Sequence, residues 1–141
     1  MVIVDANVLL YAVNTSAPRH AGARVWIEEA LSGSETVGFA WIALLAFVRL
    51  ATLPALFPVP LDPGTAFDLV ETWLAASPAI VVHPTPRHAA VLRGLVASVG
   101  TAGNLVSDAH LAALAIEYGA RICSFDRDFG RFAGVHAFAP A

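Results

Sequence analysis

The chain has no lysine and a single cysteine, Cys123, in 141 residues, and charged side chains make up only 13% of it, against roughly a quarter in ordinary soluble proteins. One cysteine excludes an intrachain disulfide and any zinc-ligand spacing. Within the apolar run 121–125 it reads as a small buried hydrophobe rather than a reactive thiol. No CxxC pair, glycine-rich phosphate loop or Ser-His-Asp signature stands out. The longest apolar run, Val37 to Val48, has twelve residues. It falls short of the roughly twenty that a membrane span requires and is expected to be a buried helix, so no membrane partner is predicted. No basic n-region precedes the first apolar residues, which argues against secretion and makes the cytoplasm the expected compartment. A formal charge of -3 and a pI near 5.9 argue against an extended electrostatic footprint on nucleic acid. A local basic rim stays open, because all eight basic residues are arginine, a side chain suited to phosphate contacts and stacking.

Apolar residues are abundant, at 57% with a mean hydropathy of +0.69. A chain of this length is expected to form one domain, residues 1–141. So small a domain cannot hide every apolar side chain, and large exposed patches mark interfaces. A partner chain, a homodimer or both are therefore predicted.

Short apolar segments alternate with longer helical ones. Met1 to Val4 reads as a strand running into Asp5-Ala6-Asn7 and a first helix. Helices follow from Pro18 to Leu31 and from Ala40 to Thr52. Asp62-Pro63 has the form of an N-cap with proline at the first helical position, opening a helix to Ala76. A strand over Ile80 to Val82, a helix over Pro86 to Val99, a loop from Gly100 to Asn104 and a helix over Val106 to Tyr118 stopped by Gly119 come next. Strand Arg121 to Ser124, a turn at Asp126-Arg127-Asp128, a short helical piece to Phe132 and strand Val135 to Phe138 end the chain. This alternation predicts an α/β fold, a three-layer α/β/α sandwich around a mainly parallel twisted sheet. In such sheets ligands bind beyond the carboxyl ends of the strands.

Four aspartates, Asp5, Asp108, Asp126 and Asp128, lie beside these core segments, where a carboxylate is costly unless something pairs with it. Each also has a structural explanation. Asp5 or Asn7 could cap the first helix, Ser107 or Asp108 the sixth, and Asp126 with Asp128 could form an Asx-turn. Jointly, however, segments about a hundred and twenty positions apart place acids where one sheet edge would gather them. An oxygen-only ligand set suits Mg2+ or Mn2+. His110, two residues after Asp108, would point to a different helix face, and His20, His83, His88 and His136 show no shared spacing, so no histidine is expected as a co-ligand.

At this point the chain resembles the PIN-domain ribonucleases, in particular the VapC-type toxins of bacterial type II toxin-antitoxin pairs. The resemblance spans nearly the whole chain. It rests on Val4-Asp5-Ala6-Asn7-Val8-Leu9-Leu10-Tyr11, on Phe47-Val48-Arg49-Leu50-Ala51-Thr52, on the segment from Gly103-Asn104-Leu105-Val106-Ser107-Asp108 through Ala115, and on Ser124-Phe125-Asp126-Arg127-Asp128-Phe129. It implies a PIN-like domain and a metal-dependent endoribonuclease that cuts structured RNA, such as transfer or ribosomal RNA, and is silenced by a cognate VapB-like antitoxin. Asp5, Asp108 and Asp126 match the acidic metal ligands, Asp128 matches an additional acid, and Arg49, Asn7 and Asn104 are candidates for substrate contact. One departure bears on activity. The resemblance implies a glutamate just before Phe47-Val48-Arg49, and Ala46 stands there instead. A deliberate disarming of a toxic protein, which we favour, or natural drift would account for it. The vacancy also keeps a second reading in play, a non-catalytic PIN-like module that binds RNA or protein. A phosphoryl-transfer fold with Asp5 as covalent nucleophile fits less well, since Asn7 occupies the place of its usual second acid and the chain has no lysine.

Overall fold

Strand β1 (Val2–Val4) is apolar and buried at every position because it is the middle strand of a five-stranded sheet with helices on both faces. The computed structural model describes residues 1–55, 57–100, 103 and 105–141. Val37–Phe39 forms β2, Ala79–Val81 β3, Arg121–Cys123 β4 and Ala137–Phe138 β5. The order is β3-β2-β1-β4-β5, with every described pairing parallel. Val2, Ile3 and Val4 lie opposite Arg121, Ile122 and Cys123, so β1 and β4 end level with each other. Parallel pairing needs crossover connections, and these are the helices α1 (Ala6–Val13), α2 (His20–Ser32), α3 (Trp41–Ala51), α4 (Pro63–Ala75), α5 (His88–Val99) and α6 (Leu105–Tyr118).

Side chains alternate across a strand, and β1 divides the core accordingly. Val2 and Val4 join Leu9, Ile27, Phe47 and Trp73 on the face covered by α1 to α4. Ile3 joins Leu95, Leu111, Leu114 and Phe129 on the opposite face, beneath α5 and α6. The result is the α/β/α sandwich expected, and its sheet is parallel throughout the described pairings. Among the described residues no helix is long and apolar enough to cross a membrane.

Local signals fix most element ends. Asp62 caps α4, its Oδ1 accepting from the Thr65 N–H at 3.0 Å with Pro63 at the first helical position. Gly119, at φ 63°, ends α6 in the left-handed conformation that glycine adopts without a Cβ clash. Cys123 is fully buried, and burial pushes its thiol up to about 12, so it behaves as a hydrophobe.

The run from Val37 to Val48 is not one helix. Its first three residues are strand β2, and α3 begins at Trp41. The sequence hides the boundary because Gly38 interrupts the strand pattern in a continuous apolar stretch. Its glycine has a packing reason: a Cβ there would lie 3.0 Å from Val82 Cγ1 and 3.1 Å from Ile3 Cγ1. Strand β3 is also shifted by one residue from Ile80–Val82, and β5 is shorter than Val135–Phe138. Replacing Gly38 with alanine is expected to overpack this centre and to cost about 1–3 kcal/mol. Urea unfolding checks this, and an unchanged midpoint would show that β2 and its neighbours have room to spare.

Candidate active site

The carboxyl ends of β1 and β4 bring the first acids together. Asp5 follows β1 directly and caps α1, its Oδ1 accepting from the Ala6 N–H at 2.8 Å. Asp126 lies just beyond β4, where it caps the 3-10 helix Arg127–Arg131 and accepts from the Asp128 N–H at 2.8 Å. Asp108 projects from the first turn of α6. One carboxylate oxygen from each of Asp108, Asp126 and Asp128 lies within 4.8 Å of the others.

Asp5 joins this group through Ser124, which is buried. The Ser124 hydroxyl donates to Asp5 Oδ2 at 2.6 Å and accepts from the Asp126 N–H at 2.9 Å and from Asn7 Nδ2 at 3.1 Å. Asn7 Nδ2 also donates to Asp5 Oδ2 at 3.1 Å, while its Oδ1 accepts from the Phe125 N–H at 3.1 Å. One hydroxyl and one amide thus fix two acids 121 positions apart in the chain. Asn7, expected to contact substrate, has both ends of its amide engaged in this scaffold. The sequence alone does not single out Ser124, and only its place at the end of a strand beside an acid hints at it.

Electrostatics follow from the crowding. No arginine or histidine forms an ion pair with these four acids among the described residues. Burial, then the charges of Asp126, Asp5 and Asp128, push Asp108 up to about 6. Burial raises Asp5 as well, against the hydrogen bonds from Ser124 and Ala6, and the charge of Asp126 adds to the rise.

Beside the acids opens a cleft of about 390 Å³, lined by Asp5, Asp108, Ile42, Leu45, Ala46 and Arg49 among others. Position 46 therefore faces the acids across the cleft, and a longer acidic side chain there would reach toward them. Arg49, in the last turn of α3, is exposed on the same cleft. Its guanidinium has no carboxylate partner among the described residues, although a cation at a helix C-terminus is also favoured by the helix dipole. Asn104 lies outside the described residues.

Known proteins resemble this chain in sequence and fold. The family profile for the PIN domain matches residues 2–135. Ribonuclease VapC37 of Mycobacterium tuberculosis is 58% identical over 135 residues, covering 96% of this chain and 94% of that protein. Ribonuclease VapC33 of the same species is 40% identical with the same coverage. The chain belongs to the PIN-domain family, among its VapC proteins. A solved structure of VapBC2 from Rickettsia felis, bound to a promoter DNA fragment, superposes on this VapC-family chain with a TM-score of 0.72. It covers 100% of both chains at 16% identity, which speaks for the fold.

A second polar cluster in this VapC-family chain lies between α5 and α6. His88 Nδ1 bonds Glu117 Oε2 at 2.5 Å, His88 Nε2 bonds His110 Nδ1 at 2.9 Å, and Glu117 Oε1 accepts from the Thr85 hydroxyl at 2.5 Å. His110 turns away from the acids, as its position on α6 implies. Its partnership with His88, 22 positions away, leaves no mark in the sequence.

The raised value of Asp108 gives a pH dependence whose sign is fixed. A carboxyl that holds its proton more tightly when folded adds stability below its unfolded value near 3.8, and that stability is lost as pH rises through about 6. In metal-free protein at neutral pH, Asp108→Asn is therefore expected to raise the thermal midpoint above that of the parent. The gap should close as the pH is lowered below the unfolded value. Thermal scans across that range check it, and a gap that persists in acid would refute the raised value of Asp108.

Proposed function

We propose that this chain is the toxin of a type II toxin-antitoxin pair, an endoribonuclease that cuts structured RNA with Mg2+ or Mn2+ held by Asp5, Asp108 and Asp126. The observation that carries the reading is the convergence of Asp108, Asp126 and Asp128 within 4.8 Å with Asp5 tied to them by Ser124. A set of carboxylates without a protein counter-charge fits a hard divalent cation, which binds through oxygen and keeps waters and phosphate oxygens in its remaining positions. Such an ion would supply charge neutralisation at the phosphate and an activated water. The protein's own part is positional. Ser124 and Asn7 hold Asp5, the 3-10 turn holds Asp126 against Asp128, and Arg49 offers a guanidinium to a phosphate from the far side of the cleft.

Ala46 weakens this site. It removes the carboxylate expected on α3 and leaves the cation to the acids of β1, α6 and the 3-10 turn, with Asp128 making up part of the loss. The same vacancy favours the alternative, a PIN-like module that binds RNA or protein without cutting. Ala46→Glu is expected to raise RNA cleavage with Mg2+ or Mn2+ at least about tenfold, since even outer-shell changes move metal affinity 10–100-fold. Adding Asp5→Asn should abolish the gain. If the restored chain cuts RNA no better than the Asp5 variant, the nuclease reading fails and the binding module stands.

The partner proposed is a VapB-like antitoxin, with a homodimer of this chain as the toxin unit in the cytoplasm. Trp41 and Leu45, one turn apart on α3, are 43% and 55% exposed, and Val106 on α6 is 42% exposed. Leu45 also lines the acidic cleft. Apolar side chains of this size are the kind that a partner's amphipathic segment covers. Light scattering on the isolated chain is expected to show a dimer or larger species, and a stable monomer at high concentration would count against both partners.

A further inference from the structure

A second cleft, of about 480 Å³, has Ser124 and Asp126 in its lining. Its lining has the opposite character to the acidic pocket, with Arg19, Arg127 and His136 around Phe125. The Arg19 guanidinium carbon lies 4.8 Å from the centre of the Phe125 ring, so one of its faces is stacked and its orientation is held. Phe125 in turn packs on Tyr11, with ring centres 5.3 Å apart. Its N–H is bonded to Asn7 Oδ1, and Asn7 binds Asp5. The floor of this cleft and the scaffold of the acids are therefore one hydrogen-bonded unit.

Neither of the two arginines, nor His136, has a carboxylate partner among the described residues. That matters in a chain of net charge -3 with eight arginines, where Arg24 and Arg121 do find glutamates. Asp126, in the lining of this cleft, opposes an anion, but two guanidiniums outnumber it. Ser124 and Asp126 border this cleft, and Asp5 and Asp108 border the other, so a strand crossing the acids would leave one cleft and enter the second.

Resting on the nuclease reading, we propose that this second cleft is an RNA subsite that holds a backbone phosphate neighbouring the cleaved one. Arg19 and Arg127 donate to its oxygens in the bidentate manner that guanidinium groups allow. The face of Arg19 turned away from Phe125 offers a stacking surface to an unpaired base. Arg49 in the acidic cleft and Arg19 in this one then bracket the acids with positive charge, which fixes the register of the strand without a broad basic surface.

The test is binding, separate from cleavage. Anisotropy of a labelled single-stranded oligoribonucleotide is measured with the chain as it stands, with Ca2+ in place of Mg2+ and gels confirming that the strand stays intact, across a salt series. Arg19→Ala and Arg127→Ala are each expected to weaken binding about fivefold and to flatten the slope of log affinity against log salt by about 0.7 for each phosphate no longer held. Arg19→Lys should keep the slope while losing affinity, because an ammonium does not stack flat. Arg24→Ala, at a paired arginine within α2, should change neither. All of these side chains are exposed, and unchanged thermal midpoints confirm folding. If Ala46→Glu cuts RNA while Arg19→Ala and Arg127→Ala bind like the parent, the subsite is wrong and the nuclease reading survives. If the parent binds no RNA and Ala46→Glu cuts none, both fall. If polyglutamate binds and only its binding responds to Arg19→Ala, the cleft takes an acidic peptide and the proposal is overturned.

Discussion

The crowding of four carboxylates at one edge of the sheet is the constraint around which this molecule is arranged. They meet there without a basic partner among the described residues, and burial, with the neighbouring charges adding to it, pushes Asp108 up to about 6. Without a cation the fold bears that cost through its backbone. Asp5 caps α1, Asp126 caps the 3-10 helix, and Asp108 and Asp128 sit in first turns. Every one of them lies at a helical N-terminus, where unsatisfied N–H groups carry partial positive charge. The parallel sheet makes this possible, because each strand delivers its carboxyl end to the same edge as the start of the following helix.

The rest of the chain holds that edge still. Residues of β1, with Ile122 and Cys123 of β4, are buried between two apolar layers, so Asp5 and Asp126 have fixed roots. Ser124 and Asn7 then fix the carboxylates themselves, with bonds of 2.6–3.1 Å among Asp5, Asn7, Ser124 and Phe125. Helix α3 contributes a wall rather than a ligand. With Ala46 on the cleft, its only charged residue is Arg49, and the acids face a surface that is apolar apart from that guanidinium.

Much of this is legible in the sequence, for physical reasons that differ from residue to residue. Asp5 and Asp126 can be placed because a short apolar strand followed by an acid has few arrangements in an α/β fold. Asp62-Pro63 and Gly119 announce helix ends through their own backbone chemistry. Strand β2 cannot be read, because Gly38 is set by the approach of Val82 and Ile3, a packing relation between segments far apart in the chain. The role of Ser124 is equally hidden, since a hydroxyl that binds residues 119 and 117 positions away leaves no periodic trace. For Asn7 the sequence suggests a substrate contact, whereas the structure shows an amide committed to holding Asp5 and Phe125.

The claim that the acids form one cation site is tested most directly by Mn2+ binding followed by electron paramagnetic resonance. The chain as it stands is expected to bind Mn2+ saturably and to release it to Mg2+, and Asp108→Asn with Asp126→Asn should lose that binding while staying folded. Equal Mn2+ binding by the parent and the double variant would contradict the account.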